Sequence, residues 1–226
     1  MPLNIGEVLK KPVEMVQERY YDIFVPALLP FAVSIVFAIA IGGSVMGMAS
    51  VGMMNLGAII GLVGIYFLAA IITSILATGA IVYMAYQEFN GVRVGYQEGI
   101  NAAVRKLTPL LLASIVIAVG VAVGMMLLVI PGLVWALLTM FSIPEIMIFD
   151  RDWLDAIKGS IEIVRQNFGD VLVFAIALLL VTAIISIVVG LIPYIGGALG
   201  ILITTTYAGV AITAAYLELV QKEAAN

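Results

Sequence analysis

The chain has 226 residues, 64% of them hydrophobic and only 11% charged, with a formal net charge of −4. A soluble domain carries about 45–50% apolar and about 25% charged residues, so water could not solvate a surface drawn from this composition. Cysteine and histidine are absent, and the ten Lys and Arg residues are dispersed. That excludes disulfides, thiolate nucleophiles and the commonest metal ligands, and leaves no basic cluster of the kind nucleic acid requires.

Two structures can span a bilayer, a helix bundle and a closed barrel. A barrel needs strands of about ten residues that alternate apolar with polar. This chain instead has uninterrupted apolar runs of twenty or more residues, as in 171–192. The composition therefore predicts an all-α, polytopic membrane protein with six transmembrane helices.

Residues 4–20 place Ile5, Val8, Leu9, Val13, Val16 and Tyr20 on one helical face, with Glu7, Lys10, Glu14, Gln17 and Glu18 around the other. Such a helix suits the headgroup boundary. Pro12 interrupts it, which predicts a kink or a helix start at that point. The first span is expected over 23–43. It begins too late, after mixed charge, and runs too long for a secretory signal. Residues 44–55 form an uncharged connection and 56–86 the second span, edged by Tyr83, Tyr86 and Phe89.

Charge returns over 87–106, where Tyr96, Ile100, Ala103, Val104 and Leu107 share a face. The third span is expected over 110–130, a tight reversal at Pro131-Gly132 and the fourth span over 133–149. Residues 152–168 read as a third charged amphipathic helix, followed by the fifth span over 171–192, a turn at 193–197 and the sixth span over 198–217.

All Lys and Arg residues lie at 10, 11, 19, 93, 105, 106, 151, 158, 165 and 222, and the connections 44–55, 130–132 and 193–197 carry none. Six crossings bring every charged segment to one side. The positive-inside rule then predicts cytoplasmic N- and C-termini in a multi-pass protein of the cell membrane.

At an offset of 148, Glu7, Leu9, Lys10, Glu14, Val16, Tyr20 and Asp22 align with Asp155, Ile157, Lys158, Glu162, Val164, Phe168 and Asp170. A weaker match at an offset of 91 pairs Glu7, Leu9 and Val13 with Glu98, Ile100 and Val104. The pattern suggests one membrane domain made of three parallel helix-plus-hairpin units, about 4–89, 94–149 and 152–220.

Residues 130–174 contain Ile130-Pro131-Gly132, Pro144, Asp150, Ala156, Ser160 and Phe168. An Ile-Pro-Gly turn, a span ending in a proline and an acid, and an amphipathic helix with a late aromatic make up this pattern. It resembles that of bacterial and archaeal six-helix membrane proteins similar to the membrane domain sometimes fused to glycerophosphodiester phosphodiesterases. The resemblance implies architecture. It carries over no phosphodiesterase chemistry, because no such domain is present.

Glu145 is the acid nearest a membrane interior, where a carboxylate costs about 2.5–3.5 kcal/mol on insertion scales. An acid retained there either marks an ion site or, one turn from the interface, is reached by a basic neighbour or headgroups. Thr204, Thr205, Thr206 and Thr213 give the last span a polar side, which either lines a narrow pathway or bonds back to helix carbonyls. The pairs Gly57/Gly61, Gly120/Gly124 and Gly196/Gly200 allow close helix approach, more naturally within the chain than between subunits.

Arg19, Arg105, Lys106, Lys158 and Arg165 are candidates for anionic headgroups, each contributing about 1 kcal/mol near a charged leaflet. The functional expectation is a non-catalytic protein, without cofactor or metal, that binds lipid or organises the bilayer through its charged amphipathic helices. The alternative is a channel or transporter for a small solute or ion. Its partners would be membrane lipids, a second copy of the chain or another membrane protein.

Overall fold

The structure, a computed structural model, describes residues 3–50, 56–193 and 195–224, without the side chains at 18–21, 48–50, 223 and 224. Among the described residues there are nine helices and no strand. They are α1 (Ile5–Ser50), α2 (Leu56–Phe89), α3 (Tyr96–Arg105), α4 (Leu107–Leu127), α5 (Val129–Leu138), α6 (Ser142–Phe149), α7 (Trp153–Gln166), α8 (Phe168–Gly190) and α9 (Gly196–Ala224). Six stretches are long and apolar enough to cross a bilayer: Asp22–Gly47, Leu56–Phe89, Leu107–Leu127, Val129–Phe149, Phe168–Gly190 and Gly196–Lys222. The chain is an all-α, multi-pass membrane protein.

Two local expectations are corrected, and one of two alternatives at Pro12 is removed. Helix α1 runs unbroken by secondary structure through Pro12, Pro26 and Pro30, so no new helix starts at Pro12. The first charged segment is thus continuous with its span. By contrast, α3 and α7 are separated from theirs at Lys106 and Asn167. The three charged segments therefore do not share one form.

The reversal between the third and fourth crossings lies at Leu128, whose backbone is extended at φ −162° and ψ 148°. Pro131 instead occupies the first turn of α5. A proline is cheap there, since the first-turn amides have no intrahelical acceptor to lose. Gly132 is needed for approach rather than for turning. A Cβ on Gly124 of α4 would fall 2.7 Å from Gly132 Cα, and one on Gly120 would meet the Trp135 ring. The Gly120/Gly124 pair thus serves packing inside the chain.

The fourth crossing is two helices. Residues 139–141 interrupt it between α5 and α6, and Ser160 of α7 spans the gap. Its hydroxyl donates to the Leu138 carbonyl at 2.8 Å and accepts from the Phe141 amide at 3.1 Å. A break at membrane depth survives only where such groups replace the lost helical bonds.

The buried core lies toward the charged end. Val8, Phe141, Val164, Phe174 and Tyr216 form one cluster, Ala80, Leu110, Ile146 and Ile157 a second, and Ile23, Ile81, Met84 and Val210 a third. Val8 and Ile157 lie on the charged amphipathic helices through which lipid contact was expected. Both are instead enclosed by the protein's own helices, because α7 and the start of α1 have packing partners as apolar as lipid and more complementary in shape.

Candidate functional site

The basic residues singled out in the sequence do not assemble. Arg105 and Arg165 are exposed on α3 and α7. Lys158 is also exposed, with Nζ 3.9 Å from Asp155 Oδ1 one turn away. The Arg19 side chain lies outside the described residues. Lys106 is committed elsewhere: its Nζ lies 2.8 Å from Asp150 Oδ1 and donates to the Ile146 carbonyl at 2.9 Å. Asp150 has a left-handed backbone at φ 56° and terminates α6. The Lys106 ammonium, by hydrogen bond and by charge, holds the Asp150 carboxyl below its ordinary value of 3.8.

Glu145 is 1% exposed. Arg151 Nε lies 3.1 Å from its Oε2, and Gly159 of α7 makes room for the pair, since a Cβ there would fall 2.9 Å from Glu145 Oε1. A cavity of about 280 Å³ opens beside it, bounded by Phe149, Glu162, Gln166 and Tyr216. The buried acid therefore has a basic neighbour, and the arrangement ties α6 to α7.

The threonines of α9 divide. Thr206 is fully buried and donates to the Leu202 carbonyl at 3.0 Å. Thr204 donates to Gly200 O at 2.7 Å and Thr213 to Gly209 O at 2.8 Å. These three satisfy themselves within the helix, as expected where no water is present. Among the described residues, the Thr205 hydroxyl has no such bond. It faces two cavities. One, about 450 Å³, lies between α8 and α9 and includes Thr182, Ser186 and Thr204.

The other, about 380 Å³, lies among α1, α2 and α9 and is the more enclosed of the two. Its wall combines Ala27, Pro30 and Phe31 with the hydroxyl-bearing residues Ser34, Tyr66, Ser74, Thr78 and Thr205, and among the described residues contains no Asp, Glu, Lys or Arg. Residues 66, 70, 74 and 77/78 of α2 recur every three or four positions, so they share one face. Ser34 donates to the Pro30 carbonyl at 2.7 Å, and Thr78 to Ser74 O at 3.0 Å. The Tyr66 hydroxyl lies 3.3 Å from Ser34 Oγ, beyond the usual O–H···O range of about 2.5–3.0 Å. Its ring is fixed by Phe37 and Phe67, with centroids 5.5 and 5.6 Å away.

A third cavity, about 420 Å³, separates α2 from α4 and shares Ala70 and Ser74 with this one. Such walls offer hydrogen bonds without charge. Hydroxyls both donate and accept hydrogen bonds, so they can hold and orient an uncharged ligand.

Sequence reading singled out Thr205 but not Ser34, Tyr66, Ser74 or Thr78. The four-residue spacing on α2 was the available signal. What it lacked was the partner helix, since only packing brings Ser34 of α1 opposite Tyr66. Comparison of the chain with protein families, curated proteins and solved structures yields no match.

Proposed function

We propose that this is a non-catalytic membrane protein that holds lipid between its spans, with its charged end in the cytoplasm. One observation carries the reading: a hydroxyl-lined, uncharged cavity among α1, α2 and α9, lying within apolar helices. Its volume falls within the range of about 300–1,000 Å³ typical of small-molecule sites. The expected lipid contact thus moves from the charged helices to the gaps between spans, because Val8 and Ile157 already have protein partners. The one-sided distribution of Lys and Arg supports the orientation.

Ala70 borders both the α1/α2/α9 cavity and the α2/α4 cavity, so Ala70→Phe should fill them without adding charge. Native mass spectrometry of detergent-purified protein should find lipid retained by the wild type and at least tenfold less by the variant. Helical content should be unchanged. Equal retention would defeat the reading. Solute flux through reconstituted protein that Ala70→Phe abolishes would replace it with transport.

A further inference from the structure

We infer that the ligand of the α1/α2/α9 cavity is an uncharged lipid carrying a hydroxyl or ester carbonyl, held by Tyr66, Ser74 and Thr205. This rests on the lipid-binding reading and names the chemical class that fits it.

Charge decides the first step. Among the described residues, no ionisable group other than the Tyr66 phenol borders the cavity. A phosphate or ammonium placed there would lose its hydration without gaining a counter-ion, and charges at bilayer depth are retained only when paired or in contact with water. A phospholipid would therefore keep its headgroup at the charged end and offer only acyl chain to this wall.

Hydrogen bonding decides the second. A hydrocarbon chain would leave the wall's donors facing groups that cannot accept, which disfavours it against a ligand that can. The Ser34 and Thr78 hydroxyls already donate to their own helix. Those of Ser74 and Thr205 have no intramolecular partner among the described residues. Tyr66 has only the long contact to Ser34, which a better acceptor can replace. Three available donors on two helices thus border one uncharged space. An uncharged oxygen at that depth satisfies them, and the Ala27, Pro30 and Phe31 side accommodates the apolar remainder.

Phenylalanine-caged Tyr66 supplies direction. With its ring fixed between Phe37 and Phe67, the phenol loses little freedom when it bonds a ligand, so its removal should affect selectivity as well as affinity.

The test compares dioleoylglycerol with dioleoyl phosphatidylglycerol and dioleoyl phosphatidylethanolamine, lipids of identical chains. Each is titrated into the purified protein in mixed micelles and occupancy is read by native mass spectrometry. The wild type should prefer dioleoylglycerol by tenfold or more. Tyr66→Phe, and the double variant Ser74→Ala/Thr205→Val, should each reduce that preference at least threefold, with unchanged helical content.

A preference for either phospholipid, or variants that leave the ratio unchanged, would overturn the class. Phospholipid binding that Ala70→Phe still abolishes would leave the lipid cavity standing while removing its proposed selectivity. If none of the three lipids binds, or Ala70→Phe alters none of them, both the class and the lipid-binding reading fail.

Discussion

At the charged end, Ile23, Ala80, Leu110, Ile146 and Ala214 are enclosed, whereas Ile35, Phe67, Val123, Val134 and Ile201 on the same crossings stand exposed. The two ends have different solvents. Around the charged end, side chains from α1, α2, α3, α6, α7 and α9 exclude water, so shape complementarity and ion pairs add to the hydrophobic effect. Toward the opposite end lipid tails are as apolar as leucine, and burying an isoleucine against a neighbour gains little over leaving it in the bilayer. Helices are therefore free to stand apart there. The cavities beside α2 and α9 are gaps of this kind. The α4/α5 and α8/α9 pairs depart from this, because Gly124 and Gly132 let the first two backbones meet and Gly196 lets α9 approach the Val189 carbonyl of α8.

The sharpest way to break this contrast is at Glu145. Arg151→Ala removes a guanidinium that lies 3.1 Å from a carboxylate that is 1% exposed. Losing one member of a fully buried pair costs about 3–5 kcal/mol, and the half-exposed Arg151 side chain lowers the expectation to about 2–4 kcal/mol. Thermal unfolding in detergent should show it. A shift no larger than that of an exposed-residue control would mean that the Arg151 contact does not hold α6 to α7, and the enclosed end would lose the ion pair assigned to it.

Paired truncations then sharpen the comparison. Leu110 is fully enclosed and Ile184 is 60% exposed. Leu110→Ala should cost about 2 kcal/mol, at the low end of soluble cores because the transfer component shrinks beside lipid while the cavity component remains. Ile184→Ala should fall within about 0.5 kcal/mol of the wild type, since lipid refills the space. Equal losses would indicate that both ends pack alike, and the lipid-filled gaps would then have no basis.

The contrast also explains which features were legible in the residues. Spans are visible because charge is confined to four segments and twenty-residue apolar runs have few other uses. The break at 139–141 was not, since Thr139, Met140 and Phe141 include no helix breaker. The nearby signal is Pro144, which cannot donate to the Met140 carbonyl four residues earlier. What the residues could not show is Ser160, about twenty positions along the chain, whose hydroxyl meets the Leu138 carbonyl and the Phe141 amide at the break. Pro131-Gly132 misled in the opposite way: a pair that commonly makes turns here begins a helix, with the glycine used for contact. For the candidate cavity, Thr205 was visible in a run of three threonines that periodicity could not separate. Only the packed structure distinguishes the inward Thr206 from the cavity-facing Thr205.

The smallest expected effect lies where the enclosed end meets solvent, at Lys106 and Asp150. Because the folded-state pKa of Asp150 is depressed below 3.8 by Lys106, the pair contributes stability that is fully present above that ordinary value. The contribution is lost as pH falls through the lower folded-state value. Asp150 is fully exposed, so salt should weaken the effect as well. Asp150→Asn removes the charge while keeping a residue that tolerates the left-handed backbone at φ 56°. The stability difference between wild type and Asp150→Asn should therefore be constant from about pH 7 to pH 5 and shrink toward about pH 3. Lys106→Met should remove the same pH dependence. It should also lower stability at every pH, because Lys106 Nζ additionally donates to the Ile146 carbonyl near the end of α6. A wild-type-to-variant difference that ignores pH would show that Lys106 acts through that carbonyl alone. The ammonium would then be open to the headgroup contact that its ion pair with Asp150 otherwise forecloses.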